Sequence, residues 1–323
     1  MTPEFNLIQQ YFTREAKQTD LGVGDDAALI RVTEGMQLAI SSDMLVADTH
    51  FFHYAAPYDI GWKALAVNVS DMAAMGAQAK WATLAIALPE VSEAWLGEFS
   101  RGFFACADKF EIDLIGGDTT CGPLNISVTI MGEVPTGAAL KRSGAQVGDD
   151  IWVSGQLGSA ALGLAYLQGK LALTNELAIC LKALHTPTPR TALGLALRGI
   201  ATSCIDVSDG LLADLGHILK ASNCGAMLDV EKIPCINYFK LDLSNVELQQ
   251  LLLAGGDDYE LCFTAPINKH EQINLLSKQL NIPITCIGST RMASSLNSGG
   301  LQAIYKNNPI TLLKQGFDHF GEK

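Results

Sequence analysis

The chain has 323 residues, enough for two domains or one large one. With 48% hydrophobic and 17% charged residues, its composition is globular, with material for sizeable cores. A formal charge of −12 disfavours nucleic acid, which rewards a basic surface, but it leaves room for small anions that arrive with metal ions.

The eight cysteines, at 106, 121, 180, 204, 224, 235, 262 and 286, form no CxxC pair. Most stand in apolar runs such as Leu261-Cys262-Phe263, and so read as buried thiols of a reducing compartment. The start, Met1-Thr2-Pro3-Glu4-Phe5, has no basic segment followed by an apolar run. No stretch reaches the roughly 18 to 20 apolar residues of a membrane span. These features predict a cytoplasmic protein without a membrane partner.

Helical spacing of Phe5, Ile8, Tyr11 and Phe12 predicts a helix over 4–16. Gly22-Val23-Gly24-Asp25-Asp26 then makes a tight acidic loop. Strands are expected at 27–32 and 37–42 around a turn at Glu34-Gly35, a helix or helix pair at 58–76, and a buried strand at 81–88 stopped by Pro89. An amphipathic helix over 92–109 and strands at 111–116 and 124–133 follow. The Gly-rich stretch 135–149 predicts a boundary between domains 1–137 and 148–323. Beyond it come strand 151–154, helices 157–168, 174–184 and 191–199, strand 203–206, helix 209–220 and strand 226–229. Helix 246–253, strand 260–264, helix 268–279, strand 284–287 and a turn at 297–300 complete the pattern. Such alternation indicates an α/β or α+β architecture.

Acids recur where this pattern turns. Asp25 and Asp26 repel each other unless solvated or met by a cation. Ser41-Ser42-Asp43 offers hard oxygen donors at the end of an apolar strand, with Asp48 and His50 close behind. Asp71 lies among Ala, Val and Met, where a carboxylate is costly unless it is paired, metal-bound or a helix cap. In Ile115-Gly116-Gly117-Asp118-Thr119-Thr120, two glycines permit close approach of a phosphate, and Asp118 suits its accompanying cation. Asp206-Val207-Ser208-Asp209-Gly210 sits between strand and helix. Asn68-Val69-Ser70-Asp71 echoes it, which fits two related halves with acids at equivalent positions, or chance. Gly255-Gly256-Asp257-Asp258-Tyr259-Glu260 repeats the mixture of glycines and acids, while Asp214 reads as a helix-surface residue. Arg142 is a rare basic spot that reads as a phosphate contact or as plain surface.

The sequence has no Walker A loop, and Gly22-Val23-Gly24 precedes a strand, so it is no dinucleotide fingerprint. Zinc-type Cys and His spacing is missing as well. The acids together favour Mg2+ shared with substrate phosphates, a setting suited to phosphoryl transfer.

In order along the chain, the sequence reads GVGDDAA at 22–28, SSDMLV at 41–46, DIGWKALAVNVSDMAAMG at 59–76 and IGGDTT at 115–120. It continues with VSGQLG at 153–158, DVSDGL at 206–211, GGDDYEL at 255–261 and GFDHF at 316–320. This series resembles the thiamine-monophosphate kinase family, within a superfamily that includes aminoimidazole ribonucleotide synthetase. The resemblance implies ATP-dependent phosphorylation of thiamine monophosphate to thiamine diphosphate. It also implies an N-terminal α/β domain forming a shared β-barrel in a homodimer, a C-terminal α/β domain, and an ATP site between them.

By the same resemblance, several Mg2+ ions are held by Asp26, Asp43, Asp71, Asp118, Asp206 and Asp209, with oxygens of Ser41 and Ser42 joining. ATP is contacted by Gly117, Asp118, Arg142 and Ser208, and by an aromatic residue that is either Phe103 or Phe104. Thiamine phosphate is contacted by His50, Glu260 and Phe317, the last replacing a frequent Trp with less stacking area. Transfer is direct and in line, with no protein nucleophile. Selenophosphate synthetase is disfavoured, because no reactive cysteine precedes the first acidic cluster and the earliest is Cys106. The remaining alternatives are a related enzyme using another acceptor and a non-catalytic nucleotide- or metal-binding scaffold.

Overall fold

A computed structural model describes residues 3–240, 242–295, 300–311, 316–317 and 320. The chain divides into two compact units, Met1–Met72 with Ala77–Gly137 and Ala73–Gly76 with Ala138–Lys323.

In the first unit, α1 (Pro3–Leu7) runs into a π-type turn at Ile8–Phe12. Then come β1 (Met36–Val46), α2 (Pro57–Ala74), β2 (Gln78–Leu88), α3 (Glu93–Phe110), β3 (Asp113–Cys121) and β4 (Asn125–Pro135). Helix α2 starts at a proline, whose fixed φ suits a first turn. From Ala64 to Ser70 no residue is more than 4% exposed, so this helix is buried on all sides rather than amphipathic. It touches α3 backbone to backbone. A Cβ on Gly61 would lie 2.1 Å from the Phe99 carbonyl oxygen, and one on Gly102 would lie 1.9 Å from that of Tyr58. Ser92 caps α3 by accepting from Trp95 N, and Glu111 ends it in the left-handed conformation.

The four strands form one sheet in the order β1-β4-β2-β3, with only β2 and β3 parallel. This corrects the expected barrel. The sheet is open, β1 and β3 are its two edges, and no described strand closes it. Closure requires strand tilt and stagger to be carried around the whole ring, which a four-stranded sheet with two unpaired edges does not do. The region expected to hold strands at 27–32 and 37–42 also differs. Residues 27–32 make only an isolated bridge, Leu21 to Leu29, and β1 instead runs on through Ser41-Ser42-Asp43 to Val46.

In the second unit the elements are β5 (Asp150–Ser154), α4 (Ser159–Leu167), α5 (Leu177–His185), α6 (Thr191–Ala196), β6 (Ser203–Asp206), α7 (Leu211–Ser222) and β7 (Gly225–Asp229). They continue with α8 (Asn237–Lys240), α9 (Val246–Ala254), β8 (Leu261–Ala265), α10 (His270–Leu280), β9 (Ile284–Arg291), β10 (Leu301–Tyr305) and β11 (Asn308–Pro309). The sheet order is β11-β10-β7-β9-β5-β8-β6, with β7 and β10 parallel and the other pairs antiparallel.

Both faces of this sheet are covered. Ile151 and Val153 of β5 pack with Leu162, Leu215 and Leu252 of α4, α7 and α9. Trp152, pointing the other way, joins Leu193 of α6 and Ile273 of α10. The turn expected at 297–300 lies outside the described residues for Asn297, Ser298 and Gly299.

Candidate active site

In the first unit, a strand and a helix bring four polar residues together. Ser41 Oγ donates to Asp71 Oδ2 at 2.5 Å, and Asp43 N donates to Asn68 Oδ1 at 3.2 Å. Asn68 is itself fixed by donating to the Ala64 carbonyl at 3.0 Å. Alternation along β1 puts Ser41 and Asp43 on one face, opposite α2, where Asn68 and Asp71 are three residues apart and so share a side of the helix. Asp71 lies inside α2, so it is not a helix cap. Asp43 and Asp71 are half-buried and the cluster consists of oxygen donors and one amide, a hard set. Ser42 faces the other way, 3.2 Å from the Val128 carbonyl and 3.0 Å from Thr129 Oγ1.

The glycine-acid run of 115–120 is strand rather than loop. Gly117 pairs with Leu84, which pairs with Val128, which pairs with Asp43, so one row crosses the sheet from Asp43 to Gly117. Gly117 has φ +153°, and a Cβ there would sit 1.8 Å from the Leu84 carbonyl oxygen, so only glycine fits. Asp118 is exposed on this edge strand, three strand spacings or about 14 Å from β1. It therefore stands apart from the Ser41–Asp71 cluster.

Asp26 is exposed in its loop, its amide donating to Asp25 Oδ1 at 2.9 Å. His50 is half-buried, with Nδ1 accepting from Val46 N at 3.0 Å. Its neighbour His53 instead pairs with Asp48 at 2.9 Å on the surface. Phe103 and Phe104 are both buried in α3, and the Arg14 guanidinium lies 3.6 Å from the centre of the Phe104 ring.

In the second unit two motifs lie side by side. Asp257 N donates to the Ser208 carbonyl, Tyr259 N to that of Val207, and Val207 N to that of Glu260, each at 2.8 Å. Asp257 and Tyr259 have φ of +68° and +50°, a conformation costly for an aromatic residue and held by these bonds. A Cβ on Gly256 would come 2.2 Å from the Ser208 carbonyl oxygen, which explains a glycine there. Asp206 ends β6 and is 5% exposed, and Ser208 and Asp209 follow in the loop. Phe317 N donates to the Asp209 carbonyl at 3.0 Å, which sets its half-exposed ring beside that loop. Asp318 and His319 of the same motif lie outside the described residues. Arg142 is exposed, and its carbonyl accepts from Ser222 Oγ at 3.2 Å.

Glu260 points inward and is 5% exposed. Arg190 grips both its oxygens, Nε at 2.6 Å from Oε2 and Nη2 on Oε1, and Ser154 Oγ donates to Oε2 at 2.5 Å. A Cβ on Gly155 would collide with this carboxylate, which accounts for the Ser154-Gly155 pair. Sequence reasoning missed Arg190, which carries no local signal.

Asp214 also corrects the expectation of a helix-surface residue. It is 3% exposed, and one oxygen accepts from the amides of Ser208, Asp209 and Gly210 at 3.0, 3.0 and 3.1 Å. Burial and then the charge of Asp209 push its carboxyl up to about 7, against the pull of the three amides. An acid in the first turn of α7 was the available signal. The two Val-Ser-Asp echoes are not equivalent either, since Asp71 is within a helix and Asp209 is in a loop.

Residues 24–134 match the family described as AIR synthase related protein, N-terminal domain. The whole chain is 46% identical to the thiamine-monophosphate kinase of Salmonella typhimurium over 322 residues, 98% of each chain. Among solved structures, the thiamine-monophosphate kinase of Stenotrophomonas maltophilia K279a is 45% identical with a TM-score of 0.82, over 93% of this chain and 94% of that one. AaThiL complexed with AMPPCP and TMP is 26% identical with a TM-score of 0.74, over 98% and 96%. Identity of this order from end to end means that the chain belongs to the thiamine-monophosphate kinase family.

Proposed function

We propose that this protein transfers the γ-phosphoryl group of ATP to thiamine monophosphate, giving thiamine diphosphate and ADP. The observation that carries the reading is family identity over 98% of the chain, supported by a relative that holds AMPPCP and TMP. Within the first unit, Asp43, Asp71 and Ser41 offer oxygen donors without histidine or cysteine, a set that fits Mg2+. Asp26, Ser42 and Asp118 there, and Asp206 and Asp209 in the second unit, are assigned to further ions. Bound Mg2+ would neutralise phosphate charge as the γ-phosphoryl group moves.

The protein's own part is positioning. Gly117 lets a phosphate approach backbone, and Arg142 and Ser208 bind the nucleotide. By the resemblance, His50 and Phe317 are assigned to binding thiamine phosphate. The resemblance makes Glu260 a substrate contact. Because its oxygens already hold Arg190 and Ser154, we assign it to fixing that corner of the site. The acceptor's phosphate oxygen is ionised near neutral pH, so no protein nucleophile or strong base is needed.

We also propose a homodimer in the cytoplasm. On the edge strand β1, Met36, Ile40, Met44 and Val46 share one face and are 36 to 61% exposed, an apolar stripe suited to a second copy. All eight cysteines are free thiols. Among the described residues no helix is long and apolar enough to cross a membrane.

The test is a coupled assay with ATP and Mg2+ that compares thiamine monophosphate, thiamine and aminoimidazole precursors. Equal amounts of thiamine diphosphate and ADP from the first are expected, and turnover only with another acceptor overturns the reading. Sedimentation of the full chain tests the dimer, and a monomer at micromolar concentration contradicts it.

A further inference from the structure

One donor cluster in the second unit plays no part in the phosphoryl-transfer reading. Asp150 opens β5, His270 opens α10 and Cys286 lies in β9, and one ligand atom from each falls within 4.8 Å of the other two. His270 Nε2 is 2.7 Å from Asp150 Oδ2.

The fold brings them together through a β-bulge. Along β5 and β9, Ile151 pairs with Gly288 but Trp152 pairs with Cys286, which leaves Ile287 without a cross-strand partner. In unbroken register Ile287 would oppose Trp152, and Cys286 would lie on the opposite face. The extra residue turns Cys286 onto the face of Asp150 and Trp152 and sends Ile287 into the other core. The Trp152 ring closes one side, 4.5 Å from the His270 ring at 65°. Trp152 Nε1 is the one buried side-chain nitrogen or oxygen without a hydrogen-bond partner among the described residues. Asp150 is 14% exposed and His270 41%, so the cluster is shielded by protein and open on the imidazole side.

A carboxylate, an imidazole and a thiol are a mixed oxygen, nitrogen and sulfur set. Mg2+ rejects such a set and Zn2+ accepts it. We infer that Asp150, His270 and Cys286 form a binding site for one Zn2+-class ion, separate from the oxygen-only acids assigned to Mg2+. Bond lengths of about 2.0 to 2.3 Å place tetrahedral ligands about 3.3 to 3.6 Å apart, within reach of small side-chain rotations. Burial and the Asp150 charge keep the Cys286 thiol protonated in the free protein. Binding the ion releases that proton. With three protein ligands and one open position, the ion ties the start of α10 to β5 and β9.

The test uses the full chain, freed of metal and kept in excess Mg2+ so that hard-acid sites are filled. Titration with Co2+ is expected to give a thiolate-to-cobalt charge-transfer band saturating at one equivalent per chain. Cys286→Ser should abolish the band, and His270→Ala should weaken cobalt binding at least about tenfold. Cys121→Ser, at the one exposed cysteine, should leave it unchanged. Zn2+ should raise the thermal midpoint of the wild-type chain by about 3 °C or more but not that of His270→Ala, a variant at a partly exposed position that serves if Cys286→Ser does not fold. No band in folded wild-type protein, a band that survives Cys286→Ser, or equal zinc stabilisation of His270→Ala overturns the inference.

Discussion

In the first unit, Asp43 and Asp71 are half-buried and meet a serine, an asparagine and each other's neighbourhood on a strand and a helix. In the second unit, Asp214 and Glu260 are 3% and 5% exposed, and their oxygens are taken by three loop amides, an arginine and a serine. The same residue types therefore serve two purposes. The half-buried acids sit among oxygen-bearing side chains on a strand and a helix, and they are the ones proposed to hold a cation. Of the two buried acids, Asp214 holds the loop backbone on which Ser208 and Asp209 sit, and Glu260 anchors the Arg190 and Ser154 side chains. A count of acids cannot single out Asp214 and Glu260, but their hydrogen-bond partners do.

Three perturbations test the division, from the largest expected effect downward. Glu260→Ala leaves the Arg190 guanidinium, 23% exposed, without its counter-charge. Loss of one partner of such a buried pair costs about 3–5 kcal/mol, read as a lower denaturant midpoint at constant slope. An unchanged midpoint would return Glu260 to the cation-binding or substrate-binding group. Asp214→Ala strips three amides of their acceptor and should cost about 1–3 kcal/mol. Hydrogen exchange at Ser208, Asp209 and Gly210 should then quicken, and unchanged protection would show that the loop holds itself.

The smallest effect is in the first unit and depends on pH. Burial pushes the Glu133 carboxyl up. Hydrogen bonds from Lys80 Nζ at 2.6 Å, Thr33 N at 2.7 Å and Thr33 Oγ1 at 2.9 Å, with the lysine charge, outweigh it and hold the carboxyl below its ordinary value. Below the unfolded value of about 4.3 the unfolded chain binds more protons than the folded one. The stabilisation is thus full above that pH and is lost as pH falls through the folded value. Glu133→Gln should flatten this acid limb of the stability curve, and an unaltered limb would assign acid sensitivity elsewhere.

Much of this was legible in the sequence where local chemistry decides structure. The small apolar run of α2, the strand ended by Pro89 and the amphipathic α3 all announce themselves. Residues 27–32 mislead because they are apolar yet find no strand to pair with, and Leu29 is 57% exposed. The open sheet was not legible, since barrel closure depends on what the edges of β1 and β3 meet. In the site, the pairing of Ser41 with Asp71 spans thirty positions and joins two element types, so spacing alone could not reveal it. Arg190 lies seventy positions from Glu260 and was invisible for the same reason.

The central claim is that the half-buried acids of the first unit act in phosphoryl transfer and not in folding. The most direct test measures turnover and thermal midpoint of Asp71→Asn together, at saturating ATP, thiamine monophosphate and Mg2+. The account predicts a loss of turnover of at least about 100-fold. The midpoint should stay within about 3 °C of wild type, because the amide can still accept from Ser41. Near wild-type turnover, or a loss of turnover that merely follows unfolding, would contradict it.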